Sequence, residues 1–188
     1  MRRAMVLIAA LAACRAQRAA EQPRHYGLGR AATEQDIAAR DVDVGPDGAG
    51  LPPGSGTAAQ GEVLFTQKCA SCHGPHGEGV APTNLRLVGR DPRAENFRFA
   101  SDPSLPRSIG NYWPYATTIF DYVRRAMPVN APGSLSNDEV YALTAYLLAA
   151  NEVIPTTTTL DATSLKAAKM PYVGRFVPDD RRGGREVK

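Results

Sequence analysis

Five consecutive residues, Cys69-Ala70-Ser71-Cys72-His73, carry the densest chemistry in the chain. Thiols three residues apart lie on one helical turn, so each can form a thioether with a vinyl group of the same porphyrin, and the next residue can turn its imidazole onto the iron. This spacing is the attachment signal for c-type haem, with Cys69 and Cys72 as covalent anchors of one haem c and His73 as an iron ligand. The rival chemistries ask for surroundings that the chain lacks. A thioredoxin-like redox pair wants a βαβ pattern, and a structural zinc site wants two further ligands at finger-like spacing, where only His76 and the remote His25 are present.

A second iron ligand has four candidates, His25, His76, Met127 and Met170. His76 follows His73 by three residues in a tight turn with Gly74, Gly77 and Gly79, and would have to reach the opposite haem face from there. Met127 ends a helical run and precedes Pro128; the residue before a proline is pushed out of αR geometry, which frees the thioether to leave the helix and point inward. Met170 reads as a core methionine. Met127 is therefore the expected partner of His73, and a methionine opposite a histidine raises the reduction potential of the iron.

Helices must deliver these groups. Thr57-Ala58-Ala59-Gln60 fits a capping box, and the proline-free run behind it reaches Cys69 with Ala59, Val63 and the adjacent Leu64 on one side. A second helix is predicted over Ala116 to Ala126, where Ile119, Phe120 and Val123 stand at helical spacing before Pro128. Ser136-Asn137-Asp138-Glu139 is another capping box, opening an amphipathic helix that runs through Val140, Leu143, Thr144, Leu147 and Leu148 to about Ala150. Between Gly74 and Tyr115 proline and glycine recur, which predicts loops wrapped around a large apolar object that is not protein. Trp113, Tyr112 and Tyr115 in that stretch could bond haem propionates, with Arg124 or Arg125 as counter-charge. The other reading makes the aromatics ordinary core and the arginines a solvated face.

The two ends read differently. Met1-Arg2-Arg3 and the apolar run Ala4 to Ala13 form a charged n-region and an h-region too short to span a bilayer, an export signal that places the protein in the periplasm. Leu11-Ala12-Ala13-Cys14 resembles a bacterial lipobox, which would make Cys14 a lipid anchor; the alternative is cleavage a few residues later. Cys14 is also the cysteine that the haem motif leaves over from three. Loss of Arg2 and Arg3 takes the formal charge from +3 to +1, and residues 57–150 hold eight basic and eight acidic side chains, so nucleic-acid binding has no support. The organisation is thus an export signal of lipoprotein type over 1–14, an N-terminal arm over 15–56 with turn chemistry such as Gly45-Pro46-Asp47-Gly48, a haem domain over 57–150, and an extended polar C-terminal arm over 151–188 without periodicity. The arms carry apolar anchors, among them Tyr26, Leu28, Ile37, Leu51, Tyr172 and Phe176. They either lie across a partner or wrap the protein's own core.

Residues 57–150 resemble class I cytochrome c, an all-α fold in which a few helices and loops wrap one covalent haem. Gly61 and Phe65 match the family's glycine and aromatic four apart on the first helix, and Leu143 and Tyr146 its leucine and aromatic on the last. The resemblance implies that these two helices cross, with the glycine permitting close approach. It also implies that Pro82, with Leu85, belongs to the loop whose backbone carbonyl receives the His73 Nδ1 proton.

A narrower resemblance covers most of the mature chain. Tyr26-Gly27-Leu28-Gly29-Arg30, the stretch Leu51-Pro52-Pro53-Gly54-Ser55-Gly56, Lys169-Met170-Pro171 and above all Ile109 through Pro128 are similar to the cytochrome subunit of sulfane or sulfite dehydrogenases of the Sox sulfur-oxidation system. With no second Cys-x-x-Cys-His, a one-haem subunit is implied. It would carry electrons from a molybdenum-containing catalytic subunit to a downstream cytochrome c without being the catalyst. The alternatives are a free-standing electron shuttle for another dehydrogenase and a haem enzyme acting on thiosulfate; the latter typically keeps an unusual ligand or an open iron position, against which Met127 argues.

Overall fold

The structure, a computed structural model, describes residues 27–82 and 86–177. The expected export signal, the lipobox Cys14 and His25 lie outside the described residues, as does Leu85. The chain divides into two units, one ending at Asp41 and the other beginning at Val42. In the first, α1 (Glu34–Ala38) starts at Thr33, whose hydroxyl accepts from the Asp36 N–H while the Asp36 carboxylate accepts the Thr33 N–H and pairs with Arg30.

In the second unit the capping boxes form as the sequence predicts. Gln60 Oε1 accepts the Thr57 N–H at 2.9 Å to start α2 (Ala58–Lys68), and Glu139 accepts the Ser136 N–H at 2.8 Å to start α5 (Asn137–Ala150). These two helices cross where Gly61 meets Ala142. A Cβ at Gly61 would lie 1.9 Å from the Ala142 carbonyl oxygen, so only glycine permits the approach, and Phe65 then packs on Tyr146 with ring centroids 5.0 Å apart. That contact fixes the rotation of α2 about its axis. Its buried face is Ala58, Gly61 and Phe65, whereas Ala59 is exposed and Val63 is 57% exposed. The apolar spacing that puts Ala59 and Val63 on one side counts side chains, and a glycine has none to count, so it does not mark the face that packs.

Helix α4 (Ala116–Ala126) buries Ile119, Phe120 and Val123, and the Phe120 and Tyr141 rings join it to α5 at 4.5 Å between centroids. Residues 42–56 and 151–177, the parts of the two arms described within this unit, lie on this same core. Strand β1 (Ser55–Thr57) pairs antiparallel with β2 (Thr159–Asp161), Ser55 opposite Asp161. Leu160, and Leu165 on α6 (Ala162–Ala167), are fully buried with Phe120 and Leu148. Ahead of β1, Val44 is buried and gives its N–H to Asp121 at 2.8 Å, Pro46 accepts the Thr117 hydroxyl at 3.0 Å, and Pro52 accepts the Tyr141 hydroxyl at 2.9 Å. Residues 42–56 and 151–177 therefore wrap the chain's own core, and the second of these stretches holds a strand and a helix where the sequence predicts an extended tail. Both are short and held by partners distant in sequence, so they leave no local period.

The loop region after His73 has structure of its own. Two turns of 3-10 helix within Pro92–Ala100 meet at a kink where Asn96 and Phe97 take left-handed φ values of 62° and 59°. An aromatic residue in that region is strained, and Phe97 is held there by its neighbours: its ring stacks on Tyr112 at 5.6 Å and meets Phe99 and Phe176 edge-on at 5.2 Å.

Candidate functional site

Cys69 closes α2, its N–H on the Phe65 carbonyl at 2.9 Å, and the next turn, α3 (Ala70–His73), begins from it. Cys72 and His73 both donate their N–H groups to the Cys69 carbonyl, at 3.1 and 2.9 Å, so the motif is the single helical turn that its spacing requires. Gly74 ends that turn at φ 81°, where a Cβ would lie 2.6 Å from the Glu78 carboxylate. The chain then folds back: Gly79 gives its N–H to the His73 carbonyl at 2.7 Å, and Leu87 and Val88 give theirs to Gly77 at 2.8 and 2.9 Å.

Cys72 and His73 line a cavity of about 530 Å³, and Met127 lines the same cavity. Met127 has left helical geometry, with φ −119° and ψ 150°, while its N–H still donates to Val123 at 3.2 Å; this is the escape that the following proline dictates. Between these groups the lining is apolar, from Leu87, Ile109, Ile119, Val123 and Leu147, with Tyr112, Trp113 and Tyr122. A thiol, an imidazole and a thioether around an apolar space of ligand size (pockets run about 300–1,000 Å³) fit an iron porphyrin in donor chemistry and in volume. Cys69 stands half-buried against the core, and burial pushes its thiol up to about 11.

The remaining sequence candidates fall in different places. Met170 is in the core at 4% exposure, packed with the cluster that holds Leu165. His76 is exposed, with its N–H on Glu78. Pro82 is exposed, and the residues after it, 83–85, lie outside the described residues. Trp113 lines the cavity, but its indole N–H donates to the Thr118 hydroxyl at 2.8 Å. Arg124 donates to the Val42 carbonyl and Arg125 pairs with Asp121. Among the described residues the cations that line the cavity are Arg86 and Arg107, neither of which the sequence singled out. The Arg107 guanidinium lies over Tyr112, 5.0 Å from the ring centroid, and 5.6 Å from that of Phe99, and the aromatic run beginning at Tyr112 was the one signal nearby. Among the described residues no group of three or more His, Cys, Asp or Glu could hold a metal ion. Among them, too, no helix is long and apolar enough to cross a membrane.

Comparison with known proteins agrees with this geometry. The family model described as Cytochrome c matches residues 58–151, half of the chain. A chain of the crystal structure of the sulfane dehydrogenase SoxCD from Paracoccus pantotrophus is 42% identical, with a TM-score of 0.71, over 83% of this chain and 73% of that one. Cytochrome c-551 of Bacillus subtilis is 52% identical over 33 residues, 18% of this chain and 30% of its own length, so the chain spans under a third of that curated relative.

Proposed function

The chain belongs to the cytochrome c family, and from that premise we propose that it is the periplasmic cytochrome subunit of a sulfane or sulfite dehydrogenase, taking electrons from a molybdenum-containing catalytic subunit and passing them to a downstream cytochrome. Family membership itself implies one covalent haem c and a role in electron transfer rather than catalysis. The finer reading is carried by one observation. The likeness to the SoxCD chain takes in 83% of the protein where the family model takes in half, so it extends into the segments that flank the cytochrome domain. A lipid anchor at Cys14 belongs to the same proposal.

When bound, the haem supplies a one-electron iron couple. Cys69 and Cys72 would hold it through thioethers, and His73 and Met127 would ligate its iron. Pro82 would belong to the loop whose backbone carbonyl accepts the His73 Nδ1–H hydrogen bond and so orients the imidazole. Leu87, Ile109, Ile119, Val123 and Leu147 keep water from the iron, which disfavours the more highly charged oxidised state and raises the potential. Arg86 and Arg107 offer the cavity's positive charge to the carboxylates of the porphyrin. Trp113 acts as wall, its N–H satisfied by Thr118.

Co-expression of the haem-loaded protein with a molybdenum-containing sulfane dehydrogenase catalytic subunit tests the proposal. The two should co-purify, and the haem should be reduced when a sulfane or sulfite substrate is added. A protein that never associates with that subunit, yet is reduced equally well by an unrelated dehydrogenase, is a free shuttle, and the subunit assignment falls.

A further inference from the structure

One buried polar side chain outside the ligand set ties the cavity wall together. Asn151, 2% exposed, follows α5, and its amide is fully engaged. Its Oδ1 accepts the N–H groups of Gly89 at 3.2 Å and Gly110 at 3.1 Å, and its Nδ2 donates to the carbonyls of Leu87 at 3.1 Å and Leu147 at 2.8 Å. Its own carbonyl accepts from Arg90 at 2.9 Å. Leu87, Ile109 and Leu147 line the cavity, and the Leu87 carbonyl also takes the Ile109 N–H at 3.1 Å. Leu87 gives its own N–H to Gly77 in the turn behind His73, so the network continues to the loop that carries the proximal ligand.

Asparagine combines two acceptor sites and two donors on a one-carbon stem, so it can join three backbone segments at one point. Gly110 is shaped to it: a Cβ there would lie 2.6 Å from Asn151 Oδ1, although the Gly110 backbone itself is not in the left-handed region.

We propose that Asn151 is a positioning residue for the haem crevice, clamping the 87–89 and 108–110 loops to the end of α5 so that the wall beside the iron stays closed to solvent and to added ligands. The inference rests on the haem reading above. Its measurable content is access to the iron, since opening one wall lets an external ligand compete with Met127 and lets water lower the reduction potential.

The test uses the full-length ferric protein with covalent haem, titrated with imidazole as the competing ligand. Asn151→Ala should bind imidazole about tenfold more tightly than the wild type, on the scale set by losing several buried hydrogen bonds, and its reduction potential should fall. Gly110→Ala should move both quantities in the same direction by displacing the Asn151 amide. Thr144→Ala is the control: it removes a buried hydroxyl that bonds only within α5, to Val140 at 2.7 Å, and should destabilise the protein without changing imidazole affinity more than about twofold. Where Asn151→Ala does not fold, Asn151→Asp, which keeps the volume but loses the two donations, carries the same expectation. Imidazole binding and potential in the Asn151 and Gly110 variants that match Thr144→Ala overturn the proposal. A wild type that takes up no covalent haem overturns the haem reading instead, and the two failures are separate observations.

Discussion

His73 and Met127 stand on different helical segments and line one cavity, Met127 in extended geometry at the end of α4. If Met127 is the second ligand, Met127→Ala should abolish the weak far-red sulfur-to-iron band of the oxidised protein while the haem stays covalently attached. Met170→Ala should keep the band and cost about 2–5 kcal/mol of stability, as truncation of a buried core methionine does. Loss of the band in the Met170 variant alone would reverse the assignment.

Covalent attachment has its own measurement. Haem staining should survive denaturation of the matured protein and disappear in the Cys69→Ala/Cys72→Ala double variant. Each single variant should retain one thioether, visible as an α-band displaced to the red in the pyridine haemochrome.

Arg86 and Arg107 line the cavity. A positive charge there favours the reduced, less positive state, so Arg107→Gln should lower the midpoint potential by an amount on the order of tens of millivolts, and by less at high salt. Arg124→Gln, whose arginine is engaged with the Val42 carbonyl, should leave the potential nearly unchanged.

Asp121 links residues 42–56 to α4. Burial works against its ionisation, but the hydrogen bonds from Arg125 and from the Val44 N–H outweigh it and hold the carboxyl below its ordinary value. A depressed folded-state pKa stabilises the protein above the unfolded value near 3.8, and that stability is lost as pH falls through the lower folded value. Asp121→Asn should cost about 1.5–3 kcal/mol at pH 7 and flatten the stability profile below pH ~4. Urea midpoints measured from pH 3 to 7 decide the point; parallel profiles for variant and wild type would remove Asp121 from the account.

The last prediction concerns the C-terminal segment. Leu160→Ala or Leu165→Ala should each cost about 2–5 kcal/mol, because both side chains are fully buried. A protein ending at residue 155, lacking both leucines and strand β2, should fail to give a soluble holoprotein.

What the sequence made legible was local. Thr57 with Gln60 and Ser136 with Glu139 announce their helices because both halves of a capping box lie within four residues, and Met127-Pro128 announces its geometry because the proline acts on its neighbour. What stayed hidden is held by distant partners. The β1–β2 pairing, the Asp121–Val44 bond and the Asn151 network leave no period behind, and Arg86 and Arg107 sit in loops where nothing marks one arginine above another. Gly61 was legible only through family resemblance, since its role is the side chain it lacks.

The pairing of Ser55 with Asp161 sets an order of events during maturation. The strand that precedes the haem-attachment motif has its partner far behind it, so an emerging chain exposes Cys69 to His73 well before β1 can be covered and Leu160 can seal the core. Haem attachment to the emerging chain would then act on a polypeptide that is still open, with pairing of β2 and docking of α6 as the step that closes it. A lesion at Leu160 or Leu165 would register as haem captured but not retained in a native environment, a maturation defect arising far in sequence from the cysteines.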